Sequence, residues 1–134
     1  KGHLTLSGLT SINDQQAAFF SNGDYMSLQL DGLTSITNKQ AESLSKIRSL
    51  RLDGLTSITN EQAESLSKVE DFLGLGGLTS ITDQQAESLS KVKGYLSLNG
   101  LTSITDAQAE SLSTVEFLLI SEALQPLIDK YKKP

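Results

Sequence analysis

The sequence predicts an α/β solenoid, a right-handed superhelix with a parallel sheet on its concave side and short capped helices on its convex side. The prediction rests on a repeat, a strand pattern and a helix-start pattern that recur together. Gly-Leu-Thr-Ser-Ile begins at Gly8, Gly32, Gly54, Gly77 and Gly100, with spacings of 24, 22, 23 and 23 residues, in the range of short repeat units. Leu-x-Leu alternation precedes each copy, and a Thr-x-x-Gln or Asn-x-x-Gln segment follows it.

The alternating leucines (Leu4/Leu6, Leu28/Leu30, Leu50/Leu52, Leu73/Leu75, Leu96/Leu98) read as short strands with one buried face. The glycine after each strand is expected to let the backbone turn out of the sheet. Next, Thr37–Gln40, Thr59–Gln62, Thr82–Gln85 and Thr105–Gln108 read as capping boxes. In such a box the Thr hydroxyl accepts from a free N–H of the first helical turn, and the Gln side chain reaches back. Asn13 and Gln16 take these roles in the first unit.

Ala86, Leu89 and Val92, with their equivalents, lie three apart and form the inward side of each helix. The outward side carries Glu42/Lys46, Glu64/Lys68 and Glu87/Lys91, spaced for Glu-to-Lys pairs worth about 0.3 kcal/mol each. Each repeat glycine lies 15 residues before the end of its helical stretch, at Gly23, Ile47, Val69, Val92 and Val115. All length variation therefore falls in the connection that follows, a tolerant loop. One unit cannot bury its Leu, Ile and Ala side chains alone, whereas stacked units can.

Ile47-x-x-Leu50-x-Leu52-x-x-Leu55 resembles the leucine-rich repeat, and Ile81-Thr82-Asp83 and Ile104-Thr105-Asp106 resemble its cysteine-containing "ITD" subclass. The resemblance covers about residues 3–120. Leu9, Leu33, Leu55, Leu78 and Leu101 stand where that subclass has Cys, and the units are a little short. The near-identity of the copies looks like bacterial repeat expansion or a consensus-designed array. The resemblance implies a protein- or ligand-binding scaffold. No F-box segment accompanies it, so a ubiquitin-ligase role does not carry over.

Composition narrows the partners. A net charge of −5 and a pI of about 4.8 argue against nucleic acid or an anionic membrane. Without Cys there is no disulfide, thiolate metal site or thiol nucleophile. No apolar run approaches a membrane span, and the expectation is that no signal peptide is part of this sequence. The chain opens on Lys1 rather than Met, which reads as a processed protein or a fragment.

The outward sheet positions vary from copy to copy, unlike the helices. One column holds His3, Ser27, Ser49, Phe72 and Tyr95; the next Thr5, Gln29, Arg51, Gly74 and Ser97; the third Ser7, Asp31, Asp53, Gly76 and Asn99. A constant frame with a varied face suits recognition of a protein or peptide. The candidate site is Gln29, Asp31, Arg51, Asp53, Phe72, Tyr95 and Asn99. Phe72 and Tyr95 would form an aromatic step beside the low ground of Gly74 and Gly76, an anchor pocket next to a charged rim. Alternatively Arg51 neutralises crowded carboxylates and the aromatics pack across strands.

Nothing points to catalysis or to a cofactor. Asp31 and Asp53 supply too few oxygens for calcium, and a neighbouring cation suits neither as a raised-pKa acid. His3 has no nucleophile beside it, and Gly74–Gly77 is a repeat variant rather than a phosphate loop. A second function class is ice binding by two hydroxyl ladders, Thr10/Thr34/Thr56/Thr79/Thr102 and Ser11/Ser35/Ser57/Ser80/Ser103. Turn hydroxyls are often tied to the backbone, which weighs against it. A spacer with no ligand is a third.

The domain reading is a repeat array over 1–120 and a capping helix and tail over 121–134. Ala123, Leu124, Leu127, Ile128 and Tyr131 fall on one helical side, Pro126 suits a first turn, and Lys130, Lys132 and Lys133 suit a helix C-terminus. At the other end Leu4, Leu6, Leu9, Ile12, Phe19 and Phe20 would face water on one side. The expectation is that the chain continues upstream, or that this end pairs with another copy.

Overall fold

A computed structural model describes residues 2–22 and 25–132; the expected ends at Gly23 and Lys133 lie outside them. Strands and helices alternate: β1 (Gly2–Thr5), α1 (Asp14–Asn22), β2 (Tyr25–Gln29), α2 (Asn38–Leu44), β3 (Ser49–Arg51), α3 (Asn60–Leu66), β4 (Phe72–Gly74), α4 (Asp83–Leu89), β5 (Tyr95–Leu98), α5 (Asp106–Leu112), β6 (Phe117–Ile120) and α6 (Gln125–Tyr131). The six strands form one sheet in chain order, every pair parallel. Each unit therefore lies against the unit before and the unit after it, as the repeat requires.

Register follows the leucines. Leu4, Leu28, Leu50, Leu73, Leu96 and Leu118 are successive partners across the sheet. Hydrogen bonding continues past the strand ends: Leu30, Leu52 and Leu75 donate to the carbonyls of Arg51, Gly74 and Ser97 at 2.9, 2.9 and 3.0 Å. These leucines join Leu33, Leu55, Leu78 and Leu101 and the helices' Ala41, Leu44, Ala63, Leu66, Ala86 and Leu89 in one core. Sheet and helices thus bury their apolar faces against each other.

The caps form as expected. In α2 to α5 the Thr hydroxyl accepts from the Gln N–H and the Gln side chain accepts from the Thr N–H. In α1 Asn13 and Gln16 exchange the same bonds at 2.7 and 2.9 Å. The second use of these glutamines is a finding of the structure. Gln40, Gln62, Gln85 and Gln108 also donate to the carbonyls of Ile12, Ile36, Ile58 and Ile81 in the preceding unit, at 2.7 to 2.9 Å. One side chain caps its own helix and ties it to the neighbouring unit.

The repeat glycines sit in the turn out of each strand, as expected: the Leu33, Leu55 and Leu78 N–H groups close it on the Leu30, Leu52 and Leu75 carbonyls. None of the described glycines has a positive φ, so no left-handed turn needs them. Crowding does. A Cβ at Gly54 would meet the carbonyls of Asp31 and Leu33, and one at Gly77 those of Asp53 and Leu55, whereas one at Gly8 would meet nothing. The glycine lets successive turns approach closely.

The Glu-to-Lys pairs are also corrected. No pair four residues apart bridges among the described residues; Lys91 instead meets Glu64 of the preceding unit at 3.3 Å. The helices end at Leu44, Leu66 and Leu89, so Lys46, Lys68 and Lys91 lie beyond the helical geometry that would hold such pairs.

At the C-terminal side β6 adds a sixth strand and α6 packs against α5 with Ile128 fully buried. Leu124, Leu127 and Tyr131 lean on the core, and Pro126 occupies the first helical turn. Ala123 is exposed, because Glu122–Leu124 form a turn and the helix begins only at Gln125. In the first unit Leu4, Leu6, Leu9 and Ile12 are half-buried and Phe19 is 65% exposed. Phe20, expected to face water, is buried, since it shares the inward side of α1 with Ala17 three residues earlier.

Candidate binding surface

Short strands with Leu on the inward side must send the intervening residues outward. On β2 and β3 this face is polar, and its groups are bonded to one another. Gln29 Nε2 donates to Asp31 Oδ2 at 2.6 Å, and the Asp53 N–H donates to Asp31 Oδ1 at 2.9 Å. The Gly76 N–H donates to Asp53 Oδ1 at 2.7 Å, and Arg51 Nη2 donates to Asp53 Oδ2 at 2.8 Å. The two aspartates therefore form a ladder that ties three successive units together. The hydrogen bond that Arg51 donates to Asp53 raises the pKa of its guanidinium, so it stays charged throughout the usual pH range. Of the predicted residues, Gln29, Asp31, Arg51 and Asp53 come together in one network. Asn99 stands apart, exposed, donating to Ser97 Oγ at 3.3 Å.

From β4 onward the face turns apolar. Phe72 and Tyr95 are direct strand partners, as expected. The stacked ring pair, however, is Tyr95 with Phe117, centroids 4.7 Å apart and planes inclined by 25°. Tyr95 is 47% exposed, Phe117 40% and Leu119 42%, so three large side chains stand in water on adjacent strands. Sequence reasoning missed Phe117 and Leu119, because β6 lacks a following Gly-Leu-Thr-Ser-Ile copy to mark it. The half-buried Leu118 and the buried Ile120 are its Leu-x-Leu equivalent, and one more repeat length beyond Tyr95 reaches Phe117.

The expected pocket at Gly74 and Gly76 is filled. A Cβ at Gly74 would lie 3.0 Å from the Phe72 ring and 3.3 Å from Arg51 Cγ, and one at Gly76 3.2 Å from Asp53 Oδ1. The glycines make room for neighbouring side chains. The result is a shelf rather than a hole, on which the Arg51 stem and the Phe72 ring converge.

A cleft of about 620 Å³ lies elsewhere, on the connections after α3 and α4, lined by Arg48, Glu64, Lys68, Asp71, Lys91 and Lys93 among others. Arg48 pairs with Asp71 at 3.1 Å and Lys91 with Glu64 at 3.3 Å along its wall. Among the described residues no group of three or more His, Cys, Asp or Glu side chains could hold a metal ion. No helix of the described residues is long and apolar enough to cross a membrane. His3 is exposed. All ten Thr and Ser residues of the two hydroxyl ladders are exposed, and among their hydroxyls only that of Thr102 donates, to the Thr79 carbonyl at 3.2 Å. Comparison with protein-family models, curated proteins and solved structures found no match.

Proposed function

We propose that this chain is a leucine-rich-repeat-like solenoid that serves as a non-enzymatic scaffold, binding a protein or peptide on the outward, concave face of its sheet. The observation that carries this reading is the stacked Tyr95–Phe117 pair with Leu119 beside it. Aromatic groups held rigid at low entropy cost are the side chains on which binding energy concentrates. Their position supports it further, since the units differ most in sequence on this face and keep their caps and core constant.

The test is selection from a random peptide library displayed on phage. Enriched peptides should lose binding to the Tyr95→Ser/Phe117→Ser variant and keep it to the Lys46→Ala/Lys68→Ala/Lys91→Ala variant, both checked for folding by circular dichroism. Loss with the lysine variant alone moves the site to the helix side, and a library that yields no binder contradicts the reading.

A second reading has one observation in its favour. The hydroxyl ladders are exposed and almost free of internal bonds, so they are open to an ordered water lattice such as ice. Thermal hysteresis that survives Tyr95→Ser/Phe117→Ser would support it, and its absence in the wild-type chain removes it.

A further inference from the structure

We infer that the segment recognised by this face carries a carboxylate close to an aromatic or aliphatic anchor, the carboxylate meeting Arg51 and the anchor the Phe72–Tyr95–Phe117 shelf. The inference deepens the sheet-face reading and rests on it. Charge counting alone gives the opposite answer. Asp31, Asp53 and Arg51 sum to one negative charge, which would favour a basic partner.

Hydrogen bonding and exposure together decide otherwise. Both oxygens of Asp31 are engaged, by Gln29 and by the Asp53 N–H. Both oxygens of Asp53 are engaged too, by the Gly76 N–H and by Arg51. Each carboxylate keeps lone pairs for a further bond, but the Asp53 side chain is only 27% exposed and already paired with Arg51, so a lysine would meet a half-buried, neutralised group. Arg51 is in the reverse position. A guanidinium carries five N–H donors, and among the described residues only Nη2 has a partner, Asp53. Its side chain is 48% exposed. It is also the only Lys or Arg on the outward sheet columns. Donors without acceptors, on a cation suited to planar bidentate bonding, call for a carboxylate.

Placement ties this donor to the apolar shelf. The Arg51 stem and the Phe72 ring converge on Gly74, so the residue that carries the cation borders the aromatic patch. Arg51 lies on β3 and Tyr95 on β5, two strand spacings across and, with Arg51 in register with Ser97, two residues along, or about 12 Å. An extended chain covers that in about three to four residues. The favoured segment thus has Asp or Glu about three to four positions from Trp, Tyr, Phe or Leu. The chain's net charge of −5 opposes an acidic partner at long range. Recognition must therefore come from contact geometry, since salt screens the distant charges and leaves the close pair.

The experiment uses the peptides enriched on the intact chain. Synthetic versions with Glu, Gln or Lys at the enriched charged position are titrated against wild type and Arg51→Gln. The expected result is a weakening of about tenfold or more on Glu to Gln in wild type, and none against Arg51→Gln. Peptides enriched in Lys or Arg, or a Glu preference that survives Arg51→Gln, would overturn the carboxylate inference. If those peptides still need Tyr95 and Phe117, the sheet-face reading stands without it. If they need neither residue, both readings fall.

Discussion

Gln62 donates from the first turn of α3 to the Ile36 carbonyl of the preceding unit at 2.7 Å, while its side-chain oxygen accepts from the Thr59 N–H at 3.0 Å. The first bond is buried and the second half-buried, and the amide donates and accepts at once without a change of charge. Gln62→Glu replaces the donor with a second acceptor facing a carbonyl. It should cost about 1–3 kcal/mol. Glu61→Gln, on the exposed side of the same turn, should stay within about 0.5 kcal/mol. Urea midpoints of the two variants check the difference, and equal midpoints would mean that the inter-unit bond contributes nothing.

Gly77 and Gly8 are the same residue in the same motif, yet they should respond differently. A methyl group at Gly77 runs into the backbone of the unit before it, and one at Gly8 meets open space. Gly77→Ala should lose about 1–3 kcal/mol through overpacking. Gly8→Ala should change stability by less than about 0.5 kcal/mol. Thermal melts of both variants decide it; similar losses would show that crowding is not what requires the glycine.

Thr82 is the acceptor of a complete capping box, so Thr82→Ala should cost about 1 kcal/mol. Glu87→Ala, exposed on the same helix, should be near neutral. Denaturation curves that coincide would contradict the helix start assigned here.

Glu64 accepts from Ser88 at 3.1 Å and from Lys91 at 3.3 Å, both in the next unit. The Ser88 hydroxyl and then Lys91 hold its pKa below the ordinary glutamate value. A depressed carboxylate adds its stability above the unfolded pKa and loses it as pH falls through the folded one. The pair is exposed, so the effect on stability is small. The titration itself is measurable: carboxyl NMR shifts should place the Glu64 midpoint low, and Ser88→Ala should move it up. An unchanged midpoint in that variant would show that the contact is not held in solution.

The pattern of success across these residues has a physical cause. Leu-x-Leu alternation and the Thr-x-x-Gln caps are local signals, complete within a few residues, and the strands, helix starts and parallel register follow them. What the sequence hides is what one unit does to the next. The second bond of Gln62, the crowding at Gly77 and the pairing of Glu64 with Lys91 all join residues more than twenty apart, and depend on how closely the turns stack. The same holds for the candidate surface. Arg51, Phe72 and Tyr95 are visible as outward positions, but the filling of the Gly74 hollow and the partnership of Tyr95 with Phe117 are products of packing.

Binding on the outward sheet face is tested most directly by an amide NMR map of a selected peptide titrated into the labelled chain. Shifts are expected to centre on Arg51, Gly74, Tyr95, Ser97, Phe117 and Leu119, with the amides around Lys46, Lys68 and Lys91 unmoved. Shifts confined to the helix layer or to the cleft between Arg48 and Lys93 would contradict it.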